Sequence, residues 1–225
     1  NLDRRADRWA GAQQRLAHLA AEGVLQAERL AASDGAQAGA VPEKAVLRHW
    51  TTDRNSKYDG RPGSRPGVTL EMTAGERGCA MSHVRAWQMI AAGDNGAPVL
   101  VLEDDVVPSK SLARRLPGLM KAAEGIADVL YLGYIKGAPW RRKLAPGLFE
   151  AEYLWTTVAY LLWPRGAKRL LARLPVDQPI DNFMAWEASA RRLCSLAAVP
   201  ALADQEQEWD CGSDVPHSDD VLITG

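Results

Sequence analysis

Val99-Leu-Val-Leu102 is an unbroken apolar run, and three carboxylates, Glu103-Asp104-Asp105, follow it without a spacer. Such a run is typical of a strand buried on both faces of a parallel sheet. The carboxylates then lie at the carboxyl end of that strand, where open α/β sheets bind their ligands. This stretch therefore predicts both a fold class and the position of a site.

The flanking segments predict alternating helices and strands. Thr73 and Glu76 have the spacing of a capping box, and Gly93 is placed to end the helix that begins there. A helix over residues 111–124 and a second apolar strand over residues 129–132 follow the carboxylates. The order strand, helix, strand favours an α/β domain with a mostly parallel central sheet flanked by helices.

Weaker patterns predict the remaining elements. An amphipathic helix is expected to begin with Asp3 as its N-cap and to end near Gly23. We further expect a short strand at 27–32, a loop at 53–67, one or two strands within 153–163, and helices over 164–174 and 182–192.

Length and composition limit the protein class. With 225 residues, 47% of them hydrophobic and 24% charged, we expect one globular domain over residues 1–225. The chain begins at Asn1 without a methionine, so an earlier strand or a leader before residue 1 is expected. A formal net charge of -1 argues against a nucleic-acid partner. No apolar run approaches the ~20 residues of a membrane span, which leaves only peripheral membrane association open.

Cysteine usage points to a compartment. Cys79, Cys194 and Cys211 are an odd and sparse set, so a disulfide framework is not expected. We therefore expect a reducing compartment, the cytoplasm of a bacterium at the inner membrane face, with the lumen of the endoplasmic reticulum as the alternative. Cys79 and His83, four residues apart on the predicted helix, could share a metal, but two ligands make a poor zinc site.

The three adjacent carboxylates predict a cation site. They repel one another, and burial without a counter-charge would raise their pKa values. Oxygen ligands suit Mg²⁺ or Mn²⁺, and the two-residue period of a strand places Glu103 and Asp105 on one side. Asp104 would then contact a sugar or ribose hydroxyl. The alternative is a solvated acidic turn before the next helix.

The chain resembles glycosyltransferase family 25, which contains bacterial lipooligosaccharide galactosyltransferases and procollagen galactosyltransferases. The matching segments run in the family's order along nearly the whole chain. They are Asn1-Leu-Asp-Arg-Arg with Arg8, Arg29-Leu-Ala-Ala-Ser-Asp-Gly35, Gly75-Glu-Arg-Gly-Cys-Ala-Met-Ser-His83 with Trp87, Val99-Leu-Val-Leu-Glu-Asp-Asp-Val106, Ala159-Tyr-Leu-Leu with Gly166-Ala-Lys, and Pro179-Ile-Asp-Asn-Phe-Met184.

The resemblance implies a GT-A-type nucleotide-sugar-binding fold and a metal-dependent, inverting transfer. The donor would be a UDP-sugar, for which we expect galactose, and the acceptor a hydroxyl of a lipooligosaccharide-like glycan or of a glycoprotein. Mn²⁺ or Mg²⁺ would be held by Glu103 and Asp105, with His217 completing the shell. Asp181 is the candidate base, although a structural N-cap explains its position equally well.

Other residues of the matching segments have two interpretations each. Glu76 is a second catalytic candidate, yet it also completes the capping box, and His83 lies on an apolar stripe beside Trp87. Gly75 and Gly78 cost helix stability, which suggests close approach of a ligand or another backbone. The residues expected to bind the donor are Asn1, Arg4, Arg8, Asp34, His83 and Asp104.

For the basic cluster near the N-terminus and for the C-terminal segment, the sequence allows two interpretations, a binding role or an ordinary surface role. Arg4, Arg5 and Arg8 near a helix N-terminus could bind a diphosphate or form a solvated face. Asp34 could contact the nucleoside or serve an ordinary turn. Residues 136–143, with Trp140, could line the acceptor side. The residues expected to close over the diphosphate are Gln205, Ser213, Asp214 and His217.

Two rival functions remain at this stage. One is a non-catalytic family relative that acts as a binding or adhesion module, which would be expected to lack the metal-binding carboxylates. The other is a different metal-dependent nucleotide-using transferase, against which the absence of a Gly-rich phosphate loop before a lysine counts.

Overall fold

The computed structural model describes residues 1–54, 66–93, 96–206 and 215. The helices of this part of the chain are α1 (Ala6–Ala21), α2 (Ala74–Ala91), α3 (Leu112–Ala123), α4 (Pro164–Leu171) and α5 (Ile180–Ser189). The strands are β1 (His49–Thr51), β2 (Thr69–Glu71), β3 (Val99–Leu102), β4 (Val106–Pro108), β5 (Val129–Lys136), β6 (Arg142–Ala145), β7 (Leu148–Glu150), β8 (Leu154–Leu162), β9 (Ser195–Ala198) and β10 (Ala203–Gln205).

Six strands form the central sheet in the order β3-β8-β5-β9-β7-β6. Among the described strands of this sheet, only β5 and β9 pair in parallel, and the other neighbours are antiparallel. The α/β class is confirmed, but the mostly parallel sheet was wrong. The long strand β8 lies between β3 and β5, which therefore share a direction without pairing. An apolar run shows that a strand is buried and does not reveal its partner's direction.

The sheet separates two hydrophobic cores. Residues of β5 alternate between them: Tyr131 packs with Trp87 of α2 and Phe183 of α5, whereas Leu130 packs on the opposite face with Leu116 of α3. This two-residue alternation is what the pleat of a strand requires. Helices α2, α4 and α5 therefore cover one face, and α1 and α3 cover the other.

Several local predictions are confirmed by the structure. Thr73 and Glu76 form the capping box of α2, with Glu76 N–H donating to Thr73 Oγ1 at 3.1 Å and Thr73 N–H donating to Glu76 Oε2 at 2.8 Å. Gly93 follows the end of that helix, and Gly23 follows the end of α1 with a φ of +68°. The apolar runs at 99–102 and 129–132 are strands.

Three local predictions were wrong. No strand forms at 27–32; instead the main chain of Asn1 bonds to Leu30 O and Ala32 N–H. Arg5, not Asp3, occupies the N-cap position of α1. The strand at 99–102 was expected to be buried on both faces, but β3 is an edge strand of the sheet, and Val99 is 46% exposed. The prediction failed because an apolar pattern does not indicate how many neighbours a strand has. Most of the predicted 53–67 loop, residues 55–65, lies outside the described residues.

Two glycines allow the turn at residues 33–35 to contact the first turns of α2. A Cβ on Gly78 would lie 2.6 Å from Ser33 O, and a Cβ on Gly35 would lie 1.8 Å from Ala74 O. Ser82 Oγ accepts a hydrogen bond from Ser33 N–H at 2.9 Å across the same contact. The close approach expected at Gly78 is thus made by another segment of backbone.

Gly35→Ala is expected to destabilise the protein by about 1–3 kcal/mol, because the new methyl group meets backbone that cannot move aside. Gly118→Ala on α3 is the matched control, since a Cβ there meets nothing within 4 Å. Removing a helical glycine should stabilise this site by about 0.5–1 kcal/mol. Urea unfolding monitored by circular dichroism measures both changes, and equal effects would contradict the proposed contact.

Candidate functional site

The candidate site is a cleft of about 1430 Å³ at the end of the central sheet where several strands begin or terminate. The carboxyl ends of β3 and β5 and the amino end of β8 meet at this end, because β8 runs antiparallel to both neighbours. The first residues of α1, the cleft side of α2 and the start of α5 complete the lining. The cleft therefore lies where the sequence placed the carboxylates.

Arg8 of α1 holds the two aspartates of the acidic turn. Its Nη2 lies 2.5 Å from Asp104 Oδ1 and 3.0 Å from Asp105 Oδ2, and its side chain is only 12% exposed. Asn1 Nδ2 donates to Asp104 Oδ2 at 2.7 Å. Arg8 therefore supplies part of the positive counter-charge that the acidic sequence was expected to obtain from a metal ion.

Two further side chains fix the acidic turn. Arg15, seven residues after Arg8 on the same face of α1, donates to Asp104 O at 2.5 Å and to Val106 O at 2.8 Å. The antiparallel pairing of β10 with β4 places Gln205 opposite Val106, and Gln205 Nε2 donates to Asp105 Oδ2 at 2.9 Å. These contacts hold the turn at the mouth of the cleft.

Asp105 is a buried carboxyl of the turn whose pKa is raised. The residue is 7% exposed, and its Oδ1 is buried with no hydrogen-bond partner among the described residues. Burial and the neighbouring charge of Glu103 raise the pKa of Asp105 from 3.8 to about 6, although Gln205 and Arg8 act in the opposite direction. Carboxylate oxygens are the ligand type that Mg²⁺ and Mn²⁺ prefer. Asp105 and Glu103 therefore fit a hard divalent cation.

A buried hydrogen-bonded chain leads to Glu103. Trp87 Nε1–H donates to Tyr160 Oη at 3.2 Å, Tyr160 Oη lies 2.7 Å from His83 Nδ1, and His83 Nε2 lies 3.3 Å from Glu103 Oε1. Thr157 Oγ1 donates to the same Glu103 oxygen at 2.6 Å. Burial raises the pKa of Glu103, but the contacts with His83 and Thr157 outweigh burial and lower it. Glu103 is thus held as a carboxylate, and His83 is both a core residue and a contact of the site.

A bulge in β8 positions two of the acids. The β5–β8 register shifts between Gly133 and Ile135, and Thr156 adopts a φ of +68° there. Thr156 N–H donates to Asp181 Oδ2 at 3.3 Å, while the next residue, Thr157, binds Glu103. Bulges re-aim side chains near active sites. This one brings Asp181 and Glu103 to the same cleft.

Asp181 lies in the first turn of α5, and Pro179, not Asp181, is at the N-cap position. Asn182 N–H donates to Asp181 Oδ1 at 2.8 Å. The negative charge of Asp181 acts on Cys79 of α2 together with those of the acidic turn, so these groups share one region of the cleft. The geometry is compatible with the predicted role as a base, which stays a prediction.

The remaining predicted residues are placed as follows. Glu76 is 3% exposed and forms the capping box while lining the cleft, so its catalytic role stays a prediction. Arg4 Nε donates to Asp34 Oδ2 at 3.1 Å, and both residues line the cleft. Arg5 pairs instead with Asp7. Ser213, Asp214 and His217 lie outside the described residues.

The segment proposed for the acceptor side, residues 136–143, is absent from the cleft lining formed by the described residues. Trp140 packs against Tyr134 with ring centroids 5.7 Å apart, and Lys136 Nζ lies 5.1 Å from the Trp140 ring centroid. Tyr134 and Ile135, rather than Trp140, line the cleft. Ile135 is 60% exposed, which makes it an apolar surface at the mouth.

Sequence reasoning missed Arg15, Thr157 and Tyr160. The seven-residue spacing of Arg8 and Arg15 beside an apolar stripe was a usable signal, because it places both on one helical face. For Thr157 and Tyr160 no local signal existed, since their role depends on strand pairing.

The described part of the chain contains no helix long and apolar enough to cross a membrane.

Comparison with known proteins gives a consistent result. A sequence profile of glycosyltransferase family 25 (LPS biosynthesis protein) matches residues 1–146. The chain is 30% identical over 194 residues to procollagen galactosyltransferase 1 of Danio rerio, which covers 82% of this chain. It is 28% identical over 222 residues to a glycosyltransferase 25 family member of Drosophila pseudoobscura pseudoobscura, covering 90% of this chain.

A third relative has a name of a different kind. Inactive glycosyltransferase 25 family member 3 of Homo sapiens is 36% identical over 140 residues, or 58% of this chain. The alignments span 23% of the human protein, 30% of the Danio protein and 33% of the Drosophila protein. The chain thus spans about a quarter to a third of the length of these relatives.

Asp105→Asn is expected to stabilise the protein in the absence of metal ions. Because the fold raises the pKa of Asp105 from 3.8 to about 6, ionisation of this carboxyl costs stability fully above about pH 6 and not at all below 3.8. The shift of about two pKa units corresponds to a gain of up to about 3 kcal/mol near neutral pH, which should vanish at about pH 3. Thermal unfolding in chelator at both pH values measures it, and a loss of stability at neutral pH would contradict this assignment.

Proposed function

Since the chain belongs to glycosyltransferase family 25, we propose that its cleft binds a nucleotide-sugar and a divalent cation and transfers a hexose to an acceptor hydroxyl. We propose UDP-galactose as the donor, and a lipooligosaccharide-like glycan or a glycoprotein as the acceptor. One observation carries the proposal: within the part of the chain that the structure describes, Asp105 Oδ1 is buried in the large cleft with no hydrogen-bond partner, close enough to Glu103 for that charge to raise the pKa of Asp105. Such an oxygen is costly unless the cleft takes a cationic ligand.

Glu103 and Asp105 are the residues that would hold Mn²⁺ or Mg²⁺. The cation supplies positive charge that offsets the charge growing on the departing diphosphate. Thr157 and His83 keep Glu103 in its carboxylate form and fix its orientation. Gln205 fixes Asp105 from the other side.

The first turns of α1 bind the donor's anionic part in this proposal. Arg8 lies at the acidic turn, and its guanidinium has the fork geometry that recognises phosphate oxygens. Arg4 is 51% exposed at the cleft and can add a second positive charge. Asn1 orients Asp104, which we assign to a hydroxyl of the sugar or ribose. Asp34, paired with Arg4, is assigned to the nucleoside.

Asp181 accepts the proton of the acceptor hydroxyl in this proposal. Main-chain N–H groups of Thr156 and Asn182 hold one oxygen each, so the carboxylate is oriented before the substrates bind. Direct attack by the acceptor hydroxyl on the anomeric carbon breaks the bond to the diphosphate in one displacement, and the configuration inverts. Tyr134 and Ile135 offer an apolar surface on which an acceptor sugar can stack.

A non-catalytic binding module is the second candidate function. It is favoured by the human relative, whose name describes it as inactive. Such a module would bind a nucleotide-sugar without turnover. Because Glu103, Asp105 and Asp181 all line the cleft of this chain, we place it second.

Transfer from UDP-galactose, or its hydrolysis, is expected to require Mn²⁺ or Mg²⁺. Excess chelator should abolish the activity, and Asp105→Ala should lower it by at least about a hundredfold, since one ligand of the cation is lost. Released UDP measures turnover, and circular dichroism establishes that the variant is folded. Undiminished turnover in chelator would contradict the proposed metal role.

Asp181→Asn is expected to retain donor binding and lose transfer. The amide keeps the shape of the side chain but cannot accept the hydroxyl proton, so kcat should fall by about 10²–10⁴. Asp177→Asn is the matched control, because Asp177 pairs with Arg54 outside the cleft lining. Calorimetry measures UDP binding and a coupled assay measures transfer. A normal rate for Asp181→Asn would remove this residue from the mechanism.

A further inference from the structure

Three chemically different metal ligands meet on the α2 side of the cleft. One ligand atom each from Cys79, His83 and Glu103 can be chosen so that all lie within 4.8 Å of one another. Cys79 and His83 are one helical turn apart on α2, and Glu103 comes from the end of β3. The fold thus supplies the third ligand that the four-residue spacing of Cys79 and His83 lacks.

From this cluster we infer that Cys79, His83 and Glu103 form a second cation site, selective for thiophilic divalent cations of the zinc class. Thiolate and imidazole are soft or intermediate ligands that Zn²⁺ and Co²⁺ prefer, whereas Mg²⁺ prefers oxygen alone. Three protein ligands leave the fourth position of a tetrahedral ion open. All three residues line the cleft, so that position faces a space which a small ligand can enter.

Tyr160 supports this site from behind. Its hydroxyl lies 2.7 Å from His83 Nδ1, and the remaining ring nitrogen, Nε2, faces Glu103. A hydroxyl can accept as well as donate, so His83 can carry its proton on Nδ1 and present the Nε2 lone pair to a cation. Metal-binding histidines regularly have such a partner on the second nitrogen.

Occupation of the site is a simple exchange. The Cys79 thiol is free, and burial together with the charges of Glu103 and Asp181 raises its pKa. On binding, the S–H bond of Cys79 breaks and its proton goes to solvent. The proton that His83 Nε2 holds towards Glu103 in the empty site also leaves, while Nδ1 keeps or takes up a proton beside Tyr160. Sulfur–metal and nitrogen–metal bonds then form, with no change of oxidation state. The net positive charge of the bound cation balances the acids that surround the thiol.

The second site has a consequence for turnover, which rests on the proposed function. Glu103 is assigned to the catalytic cation, so a zinc-class ion that takes Glu103 removes that ligand. Zn²⁺ is therefore expected to inhibit transfer in competition with Mg²⁺. Cys79 is the distinguishing residue, because it belongs to the thiophilic site and not to the proposed catalytic one.

Titration of the metal-free protein with Co²⁺, under a thiol-free reductant, tests the site directly. Wild-type protein is expected to develop the near-ultraviolet absorption of a thiolate–Co²⁺ bond at one equivalent. Cys79→Ser should lose this absorption and weaken Co²⁺ binding by at least about tenfold. The matched controls Cys194→Ser and Cys211→Ser should keep it. His83→Gln, with Cys79 intact, should weaken binding likewise.

Absence of the absorption in the wild-type protein, or its persistence in Cys79→Ser, would overturn the inference. Folding of each variant is checked by circular dichroism, and a failure of Cys79→Ser to fold leaves His83→Gln to decide. If the absorption depends on Cys79 while the protein shows no transferase activity, the thiophilic site stands and the proposed function falls. If transfer is metal-dependent and no absorption develops, the reverse holds.

Discussion

The contact of the Arg8 guanidinium with both Asp104 and Asp105 determines how the acidic turn can exist at the edge of the sheet. Adjacent carboxylates repel, and the repulsion grows as water is excluded. Arg8 contacts two of the carboxylates and supplies one positive charge, and Arg15 fixes the main chain that carries them. Both arginines come from one face of α1. The packing of α1 against β4 and α3 is therefore part of the site as well as part of the core.

This arrangement is incomplete in one respect that favours ligand binding. Arg8 and Gln205 contact the same oxygen of Asp105, and no other residue in the described ranges donates a hydrogen bond to the second, buried oxygen. A protein selected only for stability would carry an amide or an apolar residue here. The raised pKa of Asp105 has the same origin, because burial and the charge of Glu103 make the ionised form of this carboxyl less favourable. Functional sites commonly hold such a cost, since a ligand that relieves it gains the difference as affinity.

The sequence predicted the local structure around the site better than the assembly of the sheet. The capping box of Thr73 and Glu76, the strand before Glu103 and the α/β class all follow from local patterns. The insertion of β8 between β3 and β5 could not be predicted, because an apolar strand fits parallel and antiparallel neighbours equally. That insertion brings Thr157 to Glu103 and Tyr160 to His83. The environment of Glu103 is therefore a property of topology, which single-residue spacing does not encode.

Glu103 lies between oxygen-donor side chains and a pair of side chains that offer nitrogen and sulfur. On one side it lies beside the oxygen ligands of the acidic turn, and on the other it faces His83 and Cys79. A carboxylate accommodates hard and intermediate cations alike, so its neighbours decide which ion is held. In the two proposals, the oxygen ligand Asp105 selects Mg²⁺ or Mn²⁺, and the sulfur ligand Cys79 selects the zinc class. Because both proposed sites need the same carboxylate of Glu103, occupation of one site would exclude occupation of the other, and the supply of each cation would decide which site is filled.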